Sequence, residues 1–424
     1  MKKSILTLLV SFSLSIQFAN AQIDTTFLNY KLDFKRYLNL VSTNNLEYAA
    51  QKYTVPISEA AIEVAKIFPN PNVEMDWTEN REGSLRSGYA YNFGIDQTLE
   101  LGGKRKARID LARSNSSLTK ALLADYFRKL QADASLVYLE ALKQNCLFKV
   151  KVDSYDVMKQ LAEADSVRFK MGSIMEIDAV QSKLEAGILL NGVFEAEADW
   201  KNAFSQMNLM TGVHKSDTLY YPKGSLQIPD RSFILNDLII TAQNNRADLV
   251  AALYNKEVSQ KALVLAQKER KLDIDLKLSA GNLYSLNNEF PNTTAITGGI
   301  AIPLKFSNHY KGEIKMAQFQ ILQAGNLYKQ AELQIRVEIS QAFQRYRAFC
   351  KQVDRFDNGL LEKAQKVRRG KIYSYNRGET SLLEVLNAQR VYNDTQIDYF
   401  ETLYNRAAAL VDLEKAAGIW DIDF

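Results

Sequence analysis

The sequence predicts a mixed α and β chain in which a strand hairpin followed by a long helical hairpin occurs twice. Three observations predict this fold class. Two segments that alternate apolar and polar residues lie about 205 residues apart. Each runs into a long stretch with apolar residues at helical spacing and almost no glycine or proline. Equivalent residues recur at nearly the same offset, so one supersecondary unit has been duplicated. The equivalent pairs are Gly94 and Gly299, Leu99 and Leu304, Gly172 and Gly378, and Asp178 and Glu384.

The N-terminal segment, residues 1–21, is predicted to be a signal peptide. Lys2 and Lys3 precede an apolar stretch, and Ala19-Asn20-Ala21 forms a small-residue cleavage site. A membrane anchor is the alternative, but the apolar stretch is short for a bilayer-spanning helix. We therefore expect export with cleavage. The residue directly after the cleavage site is Gln22 and not a cysteine, so a lipid-modified N-terminus is not expected.

Composition excludes several classes of protein. The formal net charge is +4 over 424 residues, with both signs interspersed and no basic block, so nucleic acid is not a predicted partner. The mature sequence has no run of eighteen apolar residues, although strands of a membrane barrel give a much weaker signal than helices. Cys146 and Cys350 lie about one repeat apart. A disulfide between them is one interpretation, and two small buried residues at equivalent packing positions is the favoured one.

The first repeat is predicted over 22–212. Residues 22–43 are expected to line the outside of the fold, and a helix is expected from Asn45 to Phe68, where Pro69-Asn70-Pro71 ends it. Alternating residues then predict a strand hairpin at about 72–99 with one apolar face. A long helical hairpin is expected at about 103–211, with its turn at Met171-Gly172-Ser173.

The second repeat, 233–424, follows the same order after a packed connector at 213–232. Its strand hairpin is expected at about 273–304 and its helical hairpin at about 312–418, with the turn at Arg377-Gly378-Glu379. The first helix of each hairpin, about 65 residues long, would extend roughly 100 Å. Helices of this length without caps imply lateral packing against other helices.

Two hairpins cannot close a barrel, and an open amphipathic sheet would leave bare edges. Closed barrels are the only β-structures that span lipid, and each predicted strand is long enough to cross a bilayer when tilted. Three chains would supply twelve strands to one shared barrel, and the polar faces of their helices would line a water-filled tube. The alternative of another class is a soluble periplasmic coiled-coil scaffold with a small β-domain. That alternative does not explain the apolar face on both hairpins.

Three motifs identify a family that this chain resembles. They are Leu99-Glu100-Leu101-Gly102-Gly103-Lys104-Arg105, Pro303-Leu304 followed by Gly312, and the segment from Gly378 to Gln389. Occurring in this order across both repeats, they resemble the TolC-type outer-membrane efflux proteins. The first motif looks most like the branch that serves heavy-metal pumps of the RND class. The resemblance implies a homotrimer whose twelve-stranded outer-membrane β-barrel continues into a periplasmic α-helical tunnel.

The resemblance also implies a gate and a docking site at the helical turns. The periplasmic adaptor would dock at the tips, which are Met171, Gly172, Ser173, Arg377, Gly378 and Glu379. Inward carboxylates would ring the closed gate at Glu384 and, in the first repeat, at Asp178, and the hydroxyl of Tyr375 would help to hold the closed state. Asn387 occupies a position where the family often has Asp. One of two carboxylate rings is therefore expected to be missing, which weakens the expected cation affinity.

No pattern for catalysis or tight metal binding is present in the sequence. His214 and His309 have no Cys, His or carboxylate at ligand spacing, so isolated surface histidines are expected rather than a metal site. Gly102-Gly103-Lys104 lacks the spacing of a phosphate-binding loop. The chain is therefore predicted to be neither an enzyme nor a cofactor-binding protein.

The resemblance predicts an outer-membrane channel that acts as the exit duct of a tripartite efflux system. Its implied partners are an inner-membrane pump, a periplasmic adaptor and outer-membrane lipid, and the first motif indicates a pump of the RND class. Metal ions and small toxic compounds are the expected substrates. A duct for type I protein secretion shares the fold and stays open as an alternative, as does the soluble scaffold.

Overall fold

The computed structural model describes residues 28–82, 85–212, 218–286, 291–305, 309–422 and 424. The predicted signal peptide and His214 lie outside the described residues. The chain is a mixed α and β protein dominated by helices, as predicted. In chain order its elements are β1 (Leu28–Asp33), α1 (Phe34–Asn44), α2 (Leu46–Lys52), α3 (Thr54–Lys66), β2 (Asn72–Glu82), β3 (Leu85–Leu99), α4 (Lys104–Lys170), α5 (Glu176–Thr211), β4 (Thr218–Lys223), α6 (Leu235–Asn245), α7 (Ala247–Glu269), β5 (Ile274–Ser285), β6 (Thr293–Ala301), α8 (Lys311–Arg355), α9 (Leu361–Asn376) and α10 (Leu382–Ala417).

The two strand hairpins form one antiparallel sheet in the order β2-β3-β5-β6. The register aligns the apolar residues of neighbouring strands into rows across the sheet. The row through Val73 continues as Ile95, Leu278 and Gly298, and the row through Met75 continues as Phe93, Ala280 and Ile296. Because side chains alternate between faces of a strand, this register gives the sheet one apolar and one polar face.

The apolar face of the sheet is bare within the chain. Met75 is 79% exposed, Trp77 67% and Ile296 77%. The polar face carries charged residues, among which Lys277 lies 3.6 Å from Asp96 (Nζ to Oδ2). A continuous exposed apolar surface of this kind marks contact with another apolar phase or another protein.

A buried ion pair joins the sheet to the helices at the Leu-Glu-Leu-Gly-Gly-Lys-Arg motif. Lys104, at the start of α4, is only 2% exposed, and its Nζ lies 2.5 Å from Oδ2 of Asp273, just before β5. The backbone N–H of Leu101 donates to the other oxygen of the same carboxylate at 3.1 Å. The neighbouring Arg108 binds both oxygens of Glu100. The motif therefore fixes the angle at which the long helix leaves the sheet.

The first helical hairpin consists of two unbroken helices. α4 has 67 residues, which corresponds to about 100 Å. It packs against α5, its partner in the hairpin, and also against α3, α7 and α10. None of the described helices is both long enough and apolar enough to cross a membrane.

The second helical hairpin has a break that the sequence did not predict. The expected continuous helix from residue 312 to about 373 is interrupted by a π-helical turn, Phe356–Leu360. Asn358 and Gly359 leave helical backbone angles there, and Gly359 has a φ of 87°. That angle lies in the left-handed region that glycine adopts without steric cost. Ser154, the equivalent residue of the first repeat, lies within the unbroken α4, so the two hairpins differ at this point.

The main core lies midway along the helices, where α1 and the connector pack against the helical bundle. The Tyr138 hydroxyl of α4 bonds to the carbonyl of Leu32 at 2.9 Å and to that of Lys223 at 2.8 Å, tying α4 to the parallel β1–β4 pair. Residues 22–43 were expected to line the outside, and α1 does so with one face while its other face packs against the core. Phe34 is 1% exposed and Tyr37 is fully buried, because the amphipathic α1 covers the core through its apolar side.

The two cysteines are free thiols in the structure. Cys146 and Cys350 are both half-buried and pack against the main core. Burial raises the pKa of both thiols. The favoured interpretation, two small residues at equivalent packing positions, agrees with this environment.

Candidate gating site at the helical tips

The turns of the two helical hairpins have the same backbone hydrogen bonds. In the first turn, the N–H of Gly172 donates to Phe169 at 2.8 Å and that of Ser173 donates to Arg168 at 2.9 Å. In the second, Gly378 and Glu379 donate to Tyr375 and Ser374, each at 2.9 Å. Gly172 and Gly378 both have positive φ, as this kind of helix end requires. The duplication is therefore preserved in the geometry of the tips.

The six tip residues named from the sequence are all exposed. They are Met171, Gly172, Ser173, Arg377, Gly378 and Glu379. The two tips nevertheless differ in chemistry. The first carries apolar side chains, with Met171 67% and Met175 68% exposed. The second carries an ion pair, in which Arg377 Nε lies 2.8 Å from Oε1 of Glu379.

A small apolar cluster, the tip cluster, lies just above the turns. It joins all four helices of the two hairpins and contains Met158, Leu161, Ala162, Ala186, Tyr375, Leu382 and Val385. Among the described residues, Tyr375 is the only aromatic member of the tip cluster, and it comes from the last turn of α9. The tip cluster is separate from the main core, so the lower ends of the hairpins are held together locally.

Tyr375 links the two hairpins through a buried polar bond. Its hydroxyl donates to Oδ1 of Asp165 on α4 at 3.0 Å, and Asp165 is fully buried. The guanidinium of Arg168 lies 4.9 Å from the centre of the Tyr375 ring and 3.6 Å from the same carboxylate oxygen (Nη1 to Oδ1). Arg168 therefore contacts both ends of the bond, through a cation–π contact and an ion pair.

The electrostatics of this bond follow from burial. Burial raises the pKa of Asp165, and the nearby Asp178 carboxylate acts in the same direction. The hydroxyls of Tyr375 and Ser182 and the charge of Arg168 oppose the shift. Burial and the Asp165 charge raise the pKa of Tyr375 as well, so the tyrosine stays protonated and can donate. A movement of the hairpins that admits water would therefore lower the pKa of the Asp165 carboxyl.

Glu384 and Asn387 lie on an exposed side of α10 rather than in the tip cluster. The Glu384 carboxylate accepts from Lys371 Nζ at 2.5 Å and from the Thr380 hydroxyl at 2.6 Å. The Lys371 bond lowers the pKa of Glu384, so it is ionised at neutral pH. Asn387 accepts from Arg390 at 3.0 Å. Of the four predicted gate residues, the structure thus brings Tyr375 and Asp178 close to one carboxylate and leaves Glu384 and Asn387 facing outward from the chain.

Sequence reasoning missed three residues of this site: Asp165, Arg168 and Lys371. The repeat offset held a usable signal, because Asp165 is equivalent to Lys371 and Phe169 is equivalent to Tyr375. Of the first pair only Asp165 can accept the buried hydrogen bond, and of the second pair only Tyr375 can donate it. The carboxylate comes from the first repeat and the hydroxyl from the second, so the bond forms only between the two hairpins.

Metal ligands are not gathered anywhere in the part of the chain that the structure describes. No three His, Cys, Asp or Glu side chains lie close enough there to hold an ion. His309 is exposed. The described side chains at the tips offer hydrogen bonds, ion pairs and exposed apolar groups.

The chain thus combines an amphipathic sheet that has a bare apolar face with two long helical hairpins. The second half of the chain, residues 238–419, matches the family model described as "Outer membrane efflux protein". A curated relative, the cobalt-zinc-cadmium resistance protein CzcC of Cupriavidus metallidurans, is 24% identical over 91% of this chain and 90% of its own. The chain is therefore similar to outer membrane efflux proteins, through the family model over its second half and through this relative over most of its length.

Solved structures share the fold over nearly the whole chain. The transmembrane channel CusC has a TM-score of 0.75 at 16% identity and covers 96% of both chains. The CmeC outer membrane channel of Campylobacter jejuni has a TM-score of 0.75 at 15% identity, covering 91% of this chain and 85% of its own. The strand pairing and the long hairpins are therefore those of known channels.

Proposed function

We propose that this chain is the outer-membrane exit duct of a tripartite efflux system and works as a homotrimer. The observation that carries the proposal is the four-stranded sheet, whose apolar face is exposed and whose free edges are β2 and β6. Lipid does not tolerate unpaired strand edges. Joining β6 of one chain to β2 of the next removes those edges, and three chains give a closed barrel of twelve strands.

The helices support the same assembly. α5 carries an exposed apolar stripe, Ile177, Val180, Leu184 and Ile188, of which each member is more than half exposed within the chain. Their spacing puts them on one side of the helix. Lateral packing of hairpins from three chains would cover this stripe and enclose a tube. The duct would have no catalytic step and no cofactor, since transport through it is passive.

We propose divalent metal cations as the substrates. The support is the curated relative, whose name assigns it to cobalt, zinc and cadmium resistance. An RND-class pump of the inner membrane would supply the energy, and a periplasmic adaptor would dock at the exposed tips. The two tips differ in chemistry and would give the adaptor two kinds of contact. One is apolar, at Met171, and the other is charged, at Arg377 and Glu379.

The bond between Tyr375 and Asp165 is our proposed lock of the closed gate. It connects α9 to α4, so α9 and α10 cannot move away from the first hairpin while it is intact. Adaptor binding would open the duct by drawing the two hairpins apart. Glu384 and Asp178 would supply carboxylates near the axis of the trimer. Asn387 supplies no charge, and Lys371 offsets part of the charge of Glu384.

Deletion of the gene tests the transport proposal. Cells without the protein should accumulate cobalt, zinc and cadmium and lose tolerance to them, while the set of secreted proteins stays the same. Complementation with the wild-type gene should restore both readouts. Unchanged metal tolerance together with the loss of a secreted protein would instead identify a type I secretion duct.

Conductance in planar bilayers tests the gate. The double variant Glu384→Ala with Asp178→Ala should raise the conductance and weaken the block by divalent cations, because three copies of each charge leave the constriction. The control is Glu195→Ala with Glu401→Ala, which removes equal charge from exposed positions farther from the tips. Unchanged conductance and unchanged block in the first variant would defeat the assignment.

A further inference from the structure

The end of the sheet nearest the helices is markedly basic. The segments where the four strands meet the helices are 66–71, 100–108, 268–273, 302–305 and 309–315, and they contain many more Lys and Arg than Asp and Glu. At the opposite end of the sheet, Arg81 Nη2 lies 2.8 Å from Oε2 of Glu79, so these two charges form an ion pair. The two ends of the sheet therefore differ in electrostatic potential.

Two of the four acidic residues in these segments are held in internal pairs, and the other two, Glu269 and Glu313, make no ion pair among the described residues. Asp273 binds the buried Lys104, Glu100 binds Arg108, and Glu63 lies 2.6 Å from Lys66 Nζ. Five further basic side chains are exposed, and none makes an ion pair among the described residues. We name these the basic collar: Lys106, Arg270, Lys271, Lys311 and Lys315.

The basic collar is interleaved with the continuation of the apolar face. Four exposed apolar residues continue the alternation of the strands, on the same side as the apolar rows. They are Leu101, Leu272, Ile302 and Leu304, and Leu304 is 59% exposed. Phe68 extends this surface and lies under the guanidinium of Arg105, 4.1 Å from the ring centre. Lysine and arginine can lay their stems on such apolar surface and keep their charges at its edge.

We propose that the basic collar binds the headgroups of anionic phospholipids in the periplasmic leaflet of the outer membrane. The inference rests on the proposed function, which puts the apolar face in lipid. Acyl chains would then lie on the apolar rows, and the phosphate of an anionic headgroup would lie at the depth of the collar. Charge complementarity favours this occupant, since the collar offers cations without acidic partners beside an apolar surface.

Selectivity for lipid headgroups tests the proposal. The full-length protein is reconstituted into phosphatidylcholine vesicles, and the association of spin-labelled phosphatidylglycerol is compared with that of spin-labelled phosphatidylcholine. The wild type should prefer phosphatidylglycerol by roughly threefold or more, and high salt should remove the preference. Replacing all five collar residues by Gln should abolish it.

Two matched variants keep the test decisive. Gln at five exposed lysines elsewhere, Lys170, Lys183, Lys351, Lys363 and Lys366, removes equal charge and should leave the preference intact. Exchanging Lys for Arg and Arg for Lys within the collar should also retain it. A wild type that inserts without any preference overturns the collar alone. A protein that fails to co-float with vesicles overturns both the collar and the proposed channel.

Discussion

At the scale of single residues, one buried hydrogen bond connects the two repeats at their tips. Tyr375 was predicted from the resemblance, but its acceptor Asp165 was not, because the two lie 210 residues apart in sequence. From sequence alone, an aspartate in the middle of a helix is expected to be exposed to solvent, because the sequence does not show which elements cover it. Here the two hairpins cover it completely. The resemblance could thus point to Tyr375, whereas its hydrogen bond to Asp165 required the structure.

Replacing Tyr375 by Phe tests the bond. The ring and its apolar contacts remain, but Asp165 loses its donor, which for a buried acceptor costs about 1–3 kcal/mol. We expect the closed state to weaken, seen as a higher open probability in single-channel recordings.

The matched control for this change is Tyr373→Phe. Tyr373 is 61% exposed, and its hydroxyl accepts from Arg377 at 2.9 Å on the surface. Its loss should leave the open probability unchanged. Equal effects of the two variants would contradict a specific role for the buried bond.

The open probability should also depend on pH through Asp165. Burial raises its pKa above the ordinary 3.8, so the closed tip favours the protonated acid. The closed state is therefore most stable below the ordinary pKa, and it loses stability as pH rises through the raised pKa. Recordings over this acidic range should show opening increase with pH, and Asp165→Asn should flatten the profile. A profile that is unchanged in Asp165→Asn would contradict this origin.

At the scale of elements, the sequence predicted the regular parts and missed the irregular one. Alternation with period 2 and apolar spacing near 3.6 indicated the strands and the long helices, since both patterns reflect local geometry. Burial of α1 was missed because its short amphipathic pattern does not reveal which surface it covers. The break between α8 and α9 was missed because one glycine within a helical pattern is usually tolerated. The left-handed angle of Gly359 arises from packing that sequence spacing does not encode.

Gly359→Ala tests the break. An added Cβ would meet only Oε2 of Glu362 at 3.9 Å, so the cost comes from the φ of 87° rather than from a clash. We expect a loss of about 1 kcal/mol in unfolding free energy and a lower thermal midpoint of the detergent-solubilised protein.

Gly370→Ala is the control, because Gly370 lies inside α9 with open space around an added Cβ. There alanine should stabilise by about 0.5–1 kcal/mol. Opposite signs for the two substitutions support a break that depends on glycine. Stabilisation by both would show that α8 and α9 can join into one straight helix at no cost.

At the scale of the whole molecule, the chain leaves two large apolar surfaces uncovered, one on the sheet and one along the helices. Their position could be predicted from the sequence, because both follow regular periods. The partner that covers each surface could not, since periodicity shows which face is apolar and not what lies against it. A shared barrel and a ring of hairpins would cover both surfaces through one threefold assembly.

Leu184→Glu tests the helical part of this assembly. Leu184 is 63% exposed in the isolated chain, so the change should leave the fold of one chain intact. Within a trimer it would bury a charge against apolar neighbours, and we expect dissociation into monomers in light-scattering measurements. Lys183→Glu, at the adjacent exposed position, should leave the trimer intact. If the Leu184→Glu variant remained trimeric, the α5 stripe would not be part of the interface between chains.

The central claim is that three copies close one membrane channel. Its most direct test is the mass and the bilayer conductance of the protein extracted in detergent. We predict a trimer that conducts ions, with a low open probability while the tips are closed. A water-soluble monomer without conductance would leave the duplicated hairpins in place and contradict the channel.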